Sequence, residues 1–426
     1  MPKVDLMDRQ APEAAPDLKA ADILIAIPTF NCERTIASAL ALAQTVAMRF
    51  PGFRTVIAQV DGGSTDSTVE RVRDIAREDS LVLQMSYPLY PVHQLQVTHY
   101  PIPGMESAYH TIFTKAEELD VTACCIMAPD SGTLAPDSIA ALLQPVVEAG
   151  FDLVTPVYPR ARHEGLLVGG ILYPAVRALY GRCVRQPVAE ESAYSRALIR
   201  QCLASKKGWN TDSARQDINL WVSLQTAQSD LKLCQVHLGT RPRADEGVMD
   251  VSSLLISLVG ALYSEIERTA EVWQRVRGSS RLPTSGPACH ASPDEPAPDV
   301  TPAIQTFRLA YQNLQDIWGM ILPPGTLLEL KRLSRQTGSD FRFTNSLWAR
   351  TVYDFALAYR LRTIGRDHLL GALAPLYLGW VASFILRIRE MDSIQVEDEI
   401  EQLCMAYESQ KPYLISRWRW PDRFMP

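Results

Sequence analysis

A chain of 426 residues is longer than one hydrophobic core usually serves, so two domains are expected. With 47% hydrophobic and 21% charged residues it has a globular composition, and a net charge of −6 with pI near 5.7 excludes a general nucleic-acid binder. Small anionic ligands stay open, because they need only a local basic pocket.

Residues 1–20 contain acids and prolines and no apolar run of a signal peptide, so they read as a loose tail and the expected location is cytoplasmic. From Asp22 a short apolar run, a turn and a helix alternate. ILIAIP (23–28) and RTVIAQVD (54–61) read as strands, and RTIASALALAQTVAMRF and DSTVERVRDIARED read as the helices that follow them. Further strands are expected at LQVTHY (95–100), VTACCIMAP (121–129) and FDLVTPVY (151–158). The alternation implies a doubly wound, mostly parallel α/β sheet with ligands at the carboxyl ends of its strands.

That domain is expected over 21–248, followed by a connecting helix at 249–278 and a Pro/Ser-rich linker at 279–303. Helical periodicity then fills 304–426. Within it LLGALAPLYLGWVASFIL (369–386) is uncharged and long enough to be weighed as a membrane span; Gly371, Pro375 and Gly379 interrupt it, so a buried helix pair is expected, with no membrane span. Cys32, Cys124, Cys125, Cys183, Cys202, Cys234, Cys289 and Cys404 form no C-x-x-C pair, and reduced core cysteines are expected.

Chemistry concentrates where strands end. AIPTFNCERTI sets Asn31 and Glu33 after the first strand, and VDGGSTDSTVE sets Asp61, Gly62, Gly63, Ser64 and Asp66 after the second. Glycines let a backbone approach a ligand, and a strand-end carboxylate accepts hydrogen bonds from a base or a ribose. Ser64, Thr65 and Asp66 serve equally well as helix caps.

Taken together these two segments resemble family 2 and related nucleotide-sugar glycosyltransferases. Farther along, YPIPGMESAYHTIF, IMAPDSGTLAPDSI, DLVTPVYPRARHEG, ILYPAVRALYGRCVRQPVAEESAYS, QDINLWVSLQTAQSDLKLCQVHLG, LWARTVYDFALAYR and LAPLYLGWVASFI resemble the retaining glucosylglycerate and mannosylglycerate synthases. The resemblance implies a GT-A fold with a helical C-terminal domain and a nucleoside-diphosphate sugar as donor. It implies glycerate or a phosphoglycerate as acceptor, and a divalent Mg²⁺ or Mn²⁺ ion. It places the donor against Pro28, Asn31, Glu33, Asp61, Gly62, Gly104, Asp130 and Arg160, with Asp61 toward the base and Asp130 on the metal. Glu191 and Asp217 become the catalytic candidates that position the acceptor.

The sequence departs from that pattern at five functional segments. Ala128-Pro129-Asp130 stands where the family has Asp-x-Asp, and Gly104-Met105-Glu106 stands where it has Gly-Lys-Gly. Gln186-Pro187-Val188-Ala189-Glu190-Glu191 replaces Q-P-x-G-G-E. Asn219 takes the acid of G-I-D-x-W, with Asp217 two residues earlier, and the histidine expected after V-x-L-G is missing, His237 lying inside the strand. Like charges from Glu106, Asp130 and a diphosphate in a partly dry pocket repel by roughly a few kcal/mol. Either Asp130 with diphosphate oxygens and water holds the ion, or Arg241 and Arg243 neutralise the leaving group.

Tyr158, Arg160, Arg162 and His163 form a second cluster, able to bind phosphate or carboxylate or merely to pair with surface acids. Trp209 and Trp221 are expected in the core rather than stacked on a sugar. Two functions are carried forward: a glycosyltransferase with an altered site, or a non-catalytic relative acting as ligand sensor or partner subunit. A homodimer is a further expectation, from the long apolar helices.

Overall fold

Two largely apolar runs, β1 (Ile23–Thr29) and β2 (Thr55–Asp61), are buried at every residue, as strands covered on both faces must be. The computed structural model describes residues 20–89, 102–159, 161–205, 208–239, 251–286 and 296–421. β3 (Val82–Ser86), β4 (Ala123–Ile126), β5 (Leu153–Val157), β6 (Ser192–Ser195), β7 (Leu233–His237) and β8 (Thr284–Ser285) complete an eight-stranded sheet of order β3-β2-β1-β4-β6-β5-β7-β8. Every pairing is parallel except those of β6, which runs antiparallel to β4 and β5. This is a doubly wound and mostly parallel sheet, and a helical C-terminal region follows it.

Alternation along the strands divides the core between the two faces. Leu24, Ala26, Val56 and Val60 pack with Tyr109, Phe113 and Trp221 on one side. Ile23, Ile25, Ile27 and Ile57 pack with Ile36, Leu40 and Leu143 on the other. A third core joins Val168 to Tyr180 with residues of 255–273 and of 304–418, so the C-terminal helices pack onto a helical turn of the sheet region rather than standing apart.

Several expectations are corrected. A strand not expected from the sequence, Val82–Ser86, follows the second helix, and the strand expected at 95–100 lies outside the described residues. The start of the expected linker is ordered by the sheet: β8 pairs with β7 through Gln235 and Val236. The single long connecting helix is broken into Val251–Leu254, a π-turn at Leu255–Val259, Gly260–Arg268 and Ala270–Trp273. The apolar stretch near 369–386 is one continuous helix, Arg366–Ile388, with Pro375 inside it, not a pair. It is long and apolar enough to cross a membrane by length and composition alone, and 72% of its most apolar window is buried against protein.

Cys124, Cys125, Cys183, Cys202, Cys234 and Cys404 are buried free thiols, and Cys32 is a partly exposed one. Cys289 lies outside the described residues. Trp209 and Trp221 sit in the core with ring centroids 5.1 Å apart, and the Trp209 indole N–H donates to the Cys202 carbonyl at 2.9 Å.

Candidate active site

Parallel strands deliver their carboxyl ends to one edge, and the loops after β1 and β2 meet there. They are knitted by reciprocal bonds. The Asn31 backbone N–H donates to Ser64 Oγ at 2.9 Å, and Asn31 Oδ1 accepts from the Thr65 N–H at 2.8 Å. The Glu33 N–H donates to Asp66 Oδ2 at 3.1 Å, and Glu33 Oε2 accepts from the Ser67 N–H at 3.2 Å. Asn31 takes the left-handed conformation, φ 51°, that Asn tolerates better than most residues.

Asp61 closes the β2 turn. Its Oδ2 accepts from the Gly63 and Ser64 N–H groups, both at 2.8 Å, and its Oδ1 accepts from Ser64 Oγ at 2.6 Å and Thr29 Oγ1 at 3.0 Å. The carboxylate expected to face a base is therefore engaged by its own loop. Gly62 makes room for protein rather than for ligand, since a Cβ there would lie 2.3 Å from the hydroxyl oxygen of Tyr87. Tyr87 in turn donates to the Pro103 carbonyl at 2.7 Å, beside Gly104. Ser64, Thr65 and Asp66 do not cap the following helix; its N-cap is Ser67, and Asp66 instead accepts from Thr68. Pro28 is buried within β1, in register with Val60.

Gly104 adopts φ +67° and starts the helix Met105–Glu118. Glu106 in its first turn is buried, and that burial pushes its carboxyl up, against the opposing pull of Arg215.

Asp130 follows β4 and lies near Cys32, Asp61 and Asp66. Burial raises the Cys32 thiol to about 11, its bond to the Phe30 carbonyl opposes this, and the fields of Asp66, Asp61 and Asp130 add to the rise. The crevice is thus electronegative. Ala128 presents no ligand, and among the described residues no three His, Cys, Asp or Glu side chains converge as a metal site. The residues present do not fit a metal held by the protein; an ion arriving with a diphosphate would find Asp130 as its protein carboxylate.

Glu191 lies where the β4 and β5 loops meet and is fully buried. Ser131 Oγ donates to its Oε1 at 2.7 Å, and the Tyr158 hydroxyl donates to its Oε2. Asp217 is 1% exposed and caps the helix Ile218–Ala227, its Oδ1 accepting from the Leu220 N–H at 2.7 Å. Asn219, in its first turn, accepts from the buried Tyr109 hydroxyl. Glu191 and Asp217 therefore belong to different neighbourhoods: Glu191 supports the Asp130 loop, and Asp217 starts a core helix.

Of the basic cluster, Arg162 donates to the Met391 and Arg389 carbonyls at 2.6 and 3.3 Å, securing the end of the helix Arg366–Ile388. Arg160, Arg241 and Arg243 lie outside the described residues. Sequence reading missed Ser131 and Tyr87. Ser131 was legible only as the polar neighbour of Asp130, and Tyr87 was hidden with the strand that precedes it.

Beyond Tyr158 the edge opens into a cavity of about 690 Å³ at the ends of β5 and β7. Arg185, Gln186, His237 and Arg281 line it from the sheet side, and Phe384, Ile394 and Glu397 from the C-terminal helices. Arg185 pairs with Glu397 at 2.8 Å and lies over the Tyr173 ring, 5.2 Å from its centroid.

No protein-family model matches the chain, and no curated protein matches it. Among solved structures it is similar to glucosyl-3-phosphoglycerate synthase from Mycobacterium tuberculosis in several complexes. The complex with Mn²⁺, UDP and glucosyl-3-phosphoglycerate shares 19% identity at a TM-score of 0.38, covering 61% of this chain and 86% of that chain. The UDP complex shares 21% identity at 0.38 with the same coverage. The complex with Mn²⁺ and UDP-glucose shares 20% identity at 0.38, covering 61% of this chain and 85% of the other.

Proposed function

We propose that this protein transfers a sugar from a nucleoside-diphosphate sugar to a small polar acceptor with retention at the anomeric carbon, glycerate and phosphoglycerate being the acceptors that the sequence resemblance suggests. One observation supports it above the others: a continuous set of contacts from the Asp130 loop through Ser131, Glu191 and Tyr158 to the wall of the cavity, which brings the strand-end crevice beside a space large enough for an acceptor. Front-side displacement suits this crevice because it asks for no protein nucleophile. The acceptor oxygen bonds to the anomeric carbon as the bond to the diphosphate breaks, and the acceptor proton passes to the departing phosphate oxygen. Asn31, Glu33 and Gly104 shape the donor side, and Arg160, Arg241 and Arg243 are the candidates to neutralise the diphosphate.

A second reading, a non-catalytic relative serving as ligand sensor or partner subunit, is favoured by a different observation. Asp61 and Glu191, two carboxylates expected to face ligand, bond to their own fold.

Calorimetric titration with UDP-glucose, GDP-glucose and GDP-mannose, in Mn²⁺ and in EDTA, followed by turnover assays with glycerate and 3-phosphoglycerate, separates them. Turnover that persists in EDTA supports transfer without a resident metal. Binding of a donor with no turnover on any acceptor supports the second reading, and no binding of any donor sinks both as nucleotide-sugar proteins.

A further inference from the structure

The cavity at the ends of β5 and β7 has a charge balance unlike that of a site for a multiply charged acid. Among the described lining residues three arginines, Arg162, Arg185 and Arg281, face four carboxylates, those of Glu164, Glu397, Asp398 and Glu401. Two of the arginines are already engaged: Arg162 on helix-end carbonyls, and Arg185 on Glu397 in a two-pronged pair at 2.8 and 3.3 Å. Glu401 is taken by Arg177 at 2.6 Å. Arg281 and Asp398 make no ion pair with another described residue, and they carry opposite signs. A trianionic phosphoglycerate would meet, among the described lining residues, a fixed charge that is close to balanced and slightly negative, whereas desolvating it calls for a surplus of cations.

The rest of the lining is apolar or neutral. Leu166, Leu282 and Ile394 stand at the wall only partly covered, and Ile394 is 75% exposed. An isoleucine so exposed on the rim of a cavity of this size gains by covering itself with a ligand's apolar part, at about 25 cal/mol per Å² removed from water. His237, the last residue of β7, offers a hydrogen-bonding ring, and Tyr158 and Thr284 add hydroxyls. At about 690 Å³ the space lies within the range of sites that enclose drug-sized molecules and exceeds what a three-carbon acid fills.

We propose that this cavity binds an uncharged, polyhydroxylated molecule bearing an apolar segment, and that such a molecule, rather than phosphoglycerate, is the acceptor. The inference rests on the sugar-transfer reading for the word acceptor, but the binding claim stands apart from it. The apolar segment lies against Leu166 and Ile394, and the hydroxyls meet His237.

The test is binding to the whole protein, followed by calorimetry, of n-hexyl β-D-glucoside as neutral probe and 3-phosphoglycerate as anionic probe, with and without UDP-glucose. The hexyl glucoside is expected to bind at least tenfold more tightly than 3-phosphoglycerate. Ile394→Asp, a change at an exposed position, is expected to weaken the glucoside at least tenfold while leaving the melting temperature unchanged, and His237→Ala is expected to weaken it severalfold. Tighter binding of 3-phosphoglycerate, glucoside binding indifferent to Ile394→Asp, or no binding of the glucoside each overturns the proposal. Absence of sugar transfer with glucoside binding intact overturns only the transfer reading.

Discussion

Ser131 Oγ donates a 2.7 Å hydrogen bond to the fully buried carboxylate of Glu191, tying the loop after β4 to the strand that runs antiparallel to it. The Tyr158 hydroxyl engages the other oxygen, so one side chain fixes the loop carrying Asp130 and the end of β5. A buried charge is tolerable only while it is bonded on this scale. Ser131→Ala removes one of its hydrogen bonds, which costs about 1–3 kcal/mol. Urea denaturation of Ser131→Ala should show that loss, and an unchanged midpoint would mean that the bond contributes nothing net.

Cys32 reports the electrostatics of the crevice without any need for activity. Its thiol is raised to about 11 by burial and by the fields of Asp66, Asp61 and Asp130, so at pH 8 its thiolate fraction is roughly a hundredfold below that of a thiol at the ordinary value. The expected result is slow alkylation of Cys32 by iodoacetamide, read by peptide mass spectrometry, and faster alkylation in Asp130→Asn. Mn²⁺ alone should leave the rate unchanged, because the described residues provide no converging ligand set. Acceleration by Mn²⁺ at micromolar concentration would show that the crevice holds the ion after all.

The central strands and the helices that follow them were legible because burial on both faces of a parallel sheet writes itself as continuous apolar runs such as ILIAIP. β6 was not legible. Ser192–Ser195 is four residues, two of them serine, and its place is set by pairing with Cys124 and Val154, partners far away in sequence. The site divides in the same way. Residue types at strand ends were readable, but whether a carboxylate faces a ligand or its own loop depends on donors that the fold brings up. Asp61 takes them from its own turn, Glu191 from Ser131 and Tyr158, and Asp217 from the helix it caps. Gly62 looked like a place for a ligand because sequence does not reveal the Tyr87 ring against it.

Gly170 is a sharper case of the same close approach, at the seam between the sheet region and the C-terminal helices. A Cβ built there would lie 2.2 Å from the Trp380 ring, which stacks on the ring of Trp348 at 5.3 Å. The Gly170 carbonyl also accepts from the Trp348 indole N–H at 2.9 Å and the Tyr407 hydroxyl at 3.0 Å, so the backbone is held from two helices. Neither partner has room to retreat. Gly170→Ala should destabilise the protein by about 1–3 kcal/mol, as overpacking of a filled core does. Gly371→Ala on the helix Arg366–Ile388, where a Cβ meets nothing within 4 Å, is the control and should hold or slightly raise the melting temperature. Equal effects from the two changes would show that the seam is loosely packed.

Asp354 gives stability a pH dependence. It is 1% exposed, accepts from the Tyr413 hydroxyl at 2.8 and 3.0 Å, and faces Arg417 at 3.3 Å across the packing of the helices Asn345–Leu361 and Ser393–Arg419. Burial dominates and raises its carboxyl to about 7, with Arg417, Tyr413 and Arg350 pulling the other way. The folded protein therefore binds this proton more tightly than the unfolded chain, whose carboxyl has the ordinary value of 3.8. Between those two values the native state carries more protons than the unfolded state, so the contribution is complete below the lower one and is lost as pH rises toward 7. Unfolding free energy measured from pH 5 to pH 8 should fall over the first two units in the native sequence. Asp354→Asn, which keeps the shape and cannot ionise, should flatten that segment of the profile, whatever it does to the absolute stability. A slope that survives Asp354→Asn assigns the dependence to another group; a slope of opposite sign that the substitution removes means that Arg417 outweighs burial and holds Asp354 ionised in the folded protein.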